Sequence, residues 1–188
     1  MDRNKLVNTL HKMSVSKRCA NFYFSFDNNF YNLIPLKVSD KLLLAAHDYD
    51  FLIDGYKIAR LKHIEKVADK SEKYNEILAF EGISKGIQVP EINIENMRSV
   101  CKHFLDKQQY ISLEYESKNY EWNFAIGKIA KLTDKHIFFA HFDSMGNWKK
   151  KLLKIRYSDI FIIHFCDRYT ETFSKHVTPL EAKEQFYA

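Results

Sequence analysis

Two five-residue stretches of this chain carry the same pattern, Lys37-Val38-Ser39-Asp40-Lys41 and Lys131-Leu132-Thr133-Asp134-Lys135. Each stretch is followed by an apolar run and a histidine, and the aspartate and the histidine both recur after 94 residues (134 − 40 = 94, 141 − 47 = 94). A third block, residues 59–64, matches residues 155–160 after a two-residue insertion. A repeat of this length predicts two copies of one small fold.

Each copy is predicted to contain one short amphipathic helix and five β-strands. Alternation with period two predicts first strands at 22–26 and 111–115, and apolar runs predict third strands at 42–46 and 137–141. The pairs Asp54-Gly55 and Gly146-Asn147 predict hairpin turns that lead into fourth strands at 56–60 and 148–157. Pro35 predicts an edge or a bulge in the second strand of the first copy. The expected fold class is mainly β with short helices, built as two tandem small closed barrels.

The boundary between the copies is predicted where Gly82, Gly86 and Pro90 interrupt every periodic pattern. This places the first repeat at 1–81, a linker at 82–91 and the second repeat at 92–188.

Composition narrows the class of protein. The 188 residues carry a net charge of +5, spread without a basic tail that would announce nucleic-acid or membrane binding. No apolar run approaches the roughly 18 residues that span a bilayer, so we expect a cytoplasmic protein without a membrane partner. The three cysteines are odd in number and far apart, which predicts reduced thiols.

The layout and several residues resemble the Sm-like (LSm) family. Ile155-Arg156-Tyr157-Ser158-Asp159-Ile160 is similar to that family's second motif, and residues 59–64 are a weaker copy. Gly127 and Asp134 resemble the glycine and the acidic residue of its first motif. The chain departs from the family at the second motif's glycine, replaced by Tyr157 and Leu61, and at an asparagine expected near Ile137 or Phe138. These departures put the family's uridine pocket in doubt.

The resemblance implies two tandem Sm-like barrels, each with an N-terminal helix and a strongly bent five-stranded antiparallel sheet. It also implies association through the free edges of the fourth and fifth strands. The leading interpretation is a non-enzymatic interaction and assembly module that pairs its edges with a protein partner or with itself. The loops around Arg60 and Arg156 would then be presented to the partner.

The alternative interpretation is a divergent binder of single-stranded RNA that uses the second repeat. Basic residues mixed with aromatic ones can hold a single strand by phosphate attraction and stacking. The candidates are Arg156, Trp148, Lys149, Lys150, Lys151 and Tyr157. Each has a structural alternative: the arginines could pair with nearby carboxylates, and the lysines could protect an exposed strand edge.

A metal-dependent enzyme is the remote alternative. His47 and His141 match between the repeats, but no third ligand recurs at matching spacing, whereas zinc normally requires three or four. The five glycines form neither a phosphate-binding loop nor a dinucleotide fingerprint. The sequence therefore predicts no cofactor, no metal and no catalytic residue.

Overall fold

The computed structural model describes residues 2–27 and 29–178. The chain divides into two compact units, Met1–Glu95 and Asn96–Ala188. The described residues form ten strands, paired antiparallel within each unit, and five short helices, which confirms a mainly β protein. Residues 82–91, predicted as a linker, lie inside the first unit and include a short helix, and Ile87 is buried in its core.

The first unit opens with a helix, continues with five strands and ends with two helices. Its elements are α1 Arg3–Ser16, β1 Ala20–Phe24, β2 Phe30–Val38, β3 Leu42–Tyr49, β4 Leu52–Arg60, a 3₁₀ turn Leu61–His63, β5 Ile64–Asp69, α2 Glu72–Phe80 and α3 Ile83–Gly86. The strands lie in the order β5-β1-β2-β3-β4.

The second unit repeats this arrangement. Its elements are α4 Met97–Lys107, β6 Ile111–Glu116, β7 Trp122–Leu132, β8 His136–His141, β9 Leu153–Arg156, a 3₁₀ turn Tyr157–Asp159, β10 Ile160–Phe165 and α5 Arg168–Lys175. The order β10-β6-β7-β8-β9 is the same order one repeat later. Neither sheet closes on itself, so the closed barrels expected from the sequence are not observed.

The two units share individual hydrogen bonds in the turn between the second and third strands. Ser39 accepts a hydrogen bond from the backbone amide of Leu42 through its hydroxyl, at 3.0 Å, and Thr133 does the same for His136 at 3.0 Å. A bulge one residue after Pro35 shifts the register of β2, and β7 shifts at the equivalent place, between Ile129 and Lys131. The duplicated sequence therefore specifies one turn and one bulge twice.

The core of the second unit lies between α4 and the inner face of its sheet. The rings of Phe104 in α4 and Phe165 in β10 are 5.1 Å apart. Gly127 on β7 pairs with His141, and a Cβ atom at this glycine would lie 1.9 Å from the backbone oxygen of Ala140. Only a glycine permits this close approach of β7 and β8.

Two local predictions were wrong. Asp54-Gly55 is not the hairpin turn: Gly55, with φ of 71°, lies inside β4, and the turn is formed by Asp50 and Phe51, with φ of 49° and 68°. The fourth strand of the second unit is also shorter than residues 148–157, because only Leu153–Arg156 forms a ladder with β8. Trp148 makes one isolated bridge, to Phe142.

Candidate nucleic-acid interface

The outer surface of β7, β8 and β9 carries most of the exposed positive charge of the second unit's sheet. Lys131 on β7 lies directly opposite Phe138 on β8, which lies directly opposite Lys154 on β9, so the three side chains form one row across the sheet. Neighbouring rows on the same face add Lys128 on β7 and the pair His136 and Arg156. We call this surface the basic face; it consists of Lys128, Lys131, His136, Phe138, Lys154 and Arg156.

An aromatic ring lies between two ammonium groups in the central row. The Nζ atoms of Lys131 and Lys154 are 6.0 and 5.9 Å from the centre of the Phe138 ring. Lys131 and Lys154 are exposed, and Phe138 is half-buried. The distances are at the outer limit of a cation–π interaction, so both ammonium groups stay hydrated and able to bind another partner.

A second ring and ammonium pair lies at the end of the basic face nearest β6. Lys128 holds its Nζ atom 4.1 Å from the centre of the Tyr110 ring. The indole of Trp148 lies 6.3 Å from the same ring, and its Nε1 donates a hydrogen bond of 3.0 Å to the backbone oxygen of Thr178. Of the predicted site residues, Trp148 thus joins Lys128 and Tyr110.

Acidic residues are absent from the three strands and lie only at the rim. The strands β7, β8 and β9 contain four lysines and arginines and no aspartate or glutamate. Within the described residues, Lys131 and Lys154 form no ion pair, whereas Asp134, Asp143 and Asp159 pair with Arg98, Lys149 and Arg156. Lys131 and Lys154 can therefore attract anions without a competing carboxylate among the described residues, whereas Arg156 is already paired with Asp159.

The two arginines predicted from the repeated motif have different surroundings. Arg156 donates from Nε to Asp159 at 2.7 Å, and this hydrogen bond raises the pKa of the guanidinium. Arg60 ends β4 opposite Leu42 in the first unit, far in sequence from the basic face. It lies close enough to His63 to contribute, after burial and Lys62, to lowering the pKa of that imidazole to about 4.

The remaining predicted residues divide into engaged and exposed side chains. Lys149 pairs with Asp143 at 2.8 Å, and the hydroxyl of Tyr157 donates to the backbone oxygen of Thr133 at 2.8 Å. Burial raises the pKa of Tyr157. Lys150 and Lys151 are exposed just before β9. The structure thus brings Arg156 onto the basic face and leaves Lys150 and Lys151 beside it.

The two matched histidines are packed among rings and strands. The His47 ring lies 5.9 Å from Tyr31 and 6.3 Å from Tyr49. At His141, burial and then Lys149 lower the pKa of the imidazole. Across residues 2–27 and 29–178, no three His, Cys, Asp or Glu side chains are grouped as metal ligands.

Sequence reasoning assigned Lys128, Lys131 and Phe138 to no binding site and considered Lys154 only as one of the lysines around Arg156, although a signal for all four existed. Three consecutive predicted strands lack acidic residues. Lys128 and Lys131 are three residues apart, however, and share a face only because of the bulge between Ile129 and Lys131. The lysines at 149–151 are consecutive in the sequence and are therefore easily recognised. The residues of the basic face come together only through pairing of β7, β8 and β9.

Comparisons with protein families, characterised proteins and solved structures give no match to this chain. Among the described residues, no helix is both long enough and apolar enough to cross a membrane.

Proposed function

We propose that this protein binds nucleic acid through the basic face of its second unit. The observation that carries the proposal is the row Lys131, Phe138 and Lys154, which presents two unpaired ammonium groups around a ring on strands free of acidic residues. Phosphates are the anions such a row would neutralise, and release of their counterions would drive binding.

The equivalent face of the first unit supports this assignment by contrast. The positions of Lys128, Phe138 and Lys154 are taken there by Ile34, Leu44 and Ile58, all fully buried. Two fully buried aliphatic positions of the first unit, Ile34 and Ile58, are thus a half-buried lysine and an exposed lysine in the second unit, which supports a binding role for the second copy.

The proposal treats both units as divergent Sm-like folds that act without catalysis. The shared strand order, the 3₁₀ turn before each fifth strand and the close approach at Gly127 support this assignment. We further propose a cytoplasmic location, because three free cysteines, one of them exposed, are compatible with a reducing compartment.

A labelled RNA oligonucleotide titrated at about 50 and 200 mM salt tests the proposal. The wild-type protein should bind more weakly as salt rises, and Lys131→Ala/Lys154→Ala should lower the affinity and reduce the slope of log K against log salt by about 1.5. The matched control is Lys12→Ala/Lys85→Ala, which removes two exposed lysines of the first unit. Equal binding by the two double variants would contradict the assignment of the basic face.

Self-association through strand edges is a second candidate, favoured by the charges of two edges. β5 pairs only with β1 and β9 only with β8 among the described residues. The edge at β5 carries exposed Glu65, Lys66 and Asp69, a net charge of −1 (1 − 2 = −1), whereas β9 carries Lys154 and Arg156. Strands of opposite charge on two copies could pair head to tail, an association that generates rings or filaments.

Light scattering over a range of protein concentrations tests this candidate. Self-association should raise the measured mass above that of the 22.4 kDa chain, and Glu65→Lys/Asp69→Lys should return it to that value. Lys62→Glu/Lys73→Glu, a charge reversal at exposed lysines outside β5, is the control. A mass of one chain at all concentrations would exclude edge-mediated assembly.

A further inference from the structure

We infer that the first unit binds a basic, apolar segment of a partner protein in a groove beside the turn between β3 and β4. The groove has a volume of about 410 Å³ and lies between that turn and the segment that contains α3. It includes no residue of the basic face and none of the edge strands β5 and β9. The inference therefore goes beyond nucleic-acid binding and edge-mediated assembly and does not depend on either.

The walls of the groove are mostly apolar. Residues 51–53 form one wall, and Ile83 and Ile87 belong to the other. The first two residues of 51–53 are exposed, and so are Tyr49, directly opposite residue 52, and Phe80, at the end of α2. Exposed apolar side chains thus adjoin the groove on both sides. A concentration of this kind is typical of a surface that binds another protein.

The turn beside the groove is held in one conformation. Its residue Phe51 has a φ of 68°, a left-handed value that bulky side chains disfavour. The backbone amide of Phe51 donates a hydrogen bond of 3.0 Å to the buried Asp48, and its ring stacks on Tyr74 at 4.4 Å. Residues held in such conformations cluster at binding sites, where a fixed surface loses less entropy when a partner binds.

Two glycines leave open space in the opposite wall. Gly82 and Gly86 both line the groove, and a Cβ atom at either position would meet no atom within 4 Å. This space can receive a side chain of the partner.

The charge around the groove identifies the chemistry of the partner. The segments that form its two walls, 50–56 and 81–88, contain Asp50, Asp54, Glu81 and one lysine, a net charge of −2 (1 − 3 = −2), whereas the whole chain has a net charge of +5. Among the described residues, neither Asp50 nor Glu81 forms an ion pair. An acidic, apolar groove on a basic protein favours a segment that combines apolar residues with lysine or arginine.

Three labelled peptides of equal length test the inference by fluorescence anisotropy. One consists of leucine and lysine, the second has glutamate in place of each lysine, and the third has serine in place of each leucine. The wild-type protein should bind the leucine–lysine peptide about tenfold more tightly than either of the others. The peptide with glutamate detects attraction to the basic face, and the peptide with serine detects attraction to charge alone.

Variants of the groove locate the binding site. Leu52→Asp should weaken binding of the leucine–lysine peptide about tenfold, and Glu81→Lys should weaken it about threefold. Gly86→Leu, which fills open space in the groove, should also weaken it about tenfold. The matched controls are Val15→Asp and Glu65→Lys, which change exposed residues of α1 and β5 in the same unit. Circular dichroism checks that each variant is folded.

The outcomes identify the occupant of the groove. A preference for the leucine–lysine peptide that is lost in Leu52→Asp and Gly86→Leu and kept in Val15→Asp supports the inference. Equal binding by the groove variants and the controls, or no binding of any peptide, overturns it. A mass of two chains in light scattering that returns to one chain in Leu52→Asp would assign the groove to a second copy of this protein, which also overturns the inference.

Discussion

The two units share a strand order, a bulge and a turn, and they differ on the outer face of the sheet. In the first unit Ile34, Leu44 and Ile58 are fully buried there. In the second unit the same positions hold Lys128, Phe138 and Lys154, which are half-buried or exposed. Inner faces and turns maintain the fold of a repeat, whereas its outer face is free to acquire a different partner.

The first unit supplies its own cover for this face. Ile34 packs in a cluster with Leu78 of α2 and Ile87. Two side chains of the sheet form hydrogen bonds with the backbone of residues 88–90. The Tyr56 hydroxyl donates to the backbone oxygen of Gln88 at 2.7 Å, and Lys37 donates to the backbone oxygen of Pro90 at 2.8 Å. Lys131 is the counterpart of Lys37 in the second unit. The same lysine thus holds the chain in one unit and faces outward in the other.

Gly127→Val is expected to cause the largest change in stability. It tests whether the close contact between β7 and β8 distinguishes the second unit from the first. Leu33 occupies the equivalent position of β2 and is fully buried, whereas a Cβ at Gly127 would overlap the backbone of Ala140. We expect a loss of about 3 kcal/mol or more in the unfolding free energy of the second unit. Both tryptophans lie in that unit, so tryptophan fluorescence during urea denaturation measures it selectively.

Ala130→Val is the control for this substitution, since Ala130 is exposed on the same strand of the same unit. It should leave the urea midpoint unchanged. If Gly127→Val also left the midpoint unchanged, β7 and β8 could separate at no cost, and the glycine would not distinguish the units.

The next effect concerns a buried hydrogen-bonded pair, Glu114 and His164, that has no counterpart in the first unit. Glu114 is buried and accepts hydrogen bonds from His164 at 2.7 Å and from the Trp122 indole at 2.9 Å. The equivalent residues of the first unit are Tyr23 and Ala68. Glu114→Ala should cost about 2 kcal/mol in unfolding free energy, because it leaves the buried imidazole of His164 without its acceptor, whereas the exposed Trp122 indole can donate to water.

The measurement for Glu114→Ala is the same urea titration, with Glu121→Ala as an exposed control on the neighbouring turn. The double variant Glu114→Ala/His164→Ala completes a thermodynamic cycle. A coupling free energy near zero would show that the two side chains contribute independently.

Several structural features could be predicted from the sequence because they depend on interactions between residues close together in the chain. The turn at Ser39 and Thr133 depends on side-chain hydrogen bonds within four residues, and the proline at position 35 indicated the bulge of β2. These are local determinants. The same is true of the alternation that located β1 and β6, because successive side chains of a strand point to opposite faces. The equivalent bulge of β7 lies beside Ile129, where no proline indicates it.

The features that were missed depend on contacts between distant residues. Phe51 adopts a positive φ that its own propensity disfavours, and it is held there by an amide hydrogen bond to Asp48 and by stacking on Tyr74 at 4.4 Å. The basic face is likewise invisible along the chain, because Lys131, Phe138 and Lys154 meet only through strand pairing. Local sequence carries no information about Tyr74 or about the strand partners of Phe138, whereas Asp48 lies only three residues before Phe51.

A smaller effect is expected when the segment that covers the outer face of the first unit is loosened. Labelling of the Cys19 thiol measures how often this segment opens. Burial, followed by Asp48, raises the pKa of Cys19 to about 12, and Cys19 lies in the cluster with Leu78 and Ile87. A disulfide reagent requires the thiolate, so labelling should proceed through an open form whose thiol has an ordinary pKa near 8.5. The labelling rate should therefore rise tenfold per pH unit below about 8.5 and level off above it.

Lys37→Ala removes the hydrogen bond from Lys37 to the backbone oxygen of Pro90. If this hydrogen bond contributes about 1.4 kcal/mol, the open form becomes about tenfold more populated, and Cys19 labelling at fixed pH should be about tenfold faster. Cys101→Ala and Cys166→Ser are introduced so that only Cys19 can be labelled. The control is Lys41→Ala, which replaces an exposed lysine in the turn that follows β2. A rate that kept rising toward pH 12 would mean that the closed form reacts, and the cover would then not protect this thiol.

The smallest effect is expected at Arg156, whose charge is already balanced by Asp159 on the protein surface. Removing both partners in Arg156→Ala/Asp159→Ala leaves the net charge of the basic face unchanged, so RNA affinity should change by less than about twofold. Arg60→Ala in the first unit should have no effect. A loss comparable to that of Lys131→Ala/Lys154→Ala would mean that the guanidinium leaves Asp159 for a phosphate. The duplicated arginine would then be a binding residue in the second unit, and the contrast between the units would extend from the strands to the repeated motif itself.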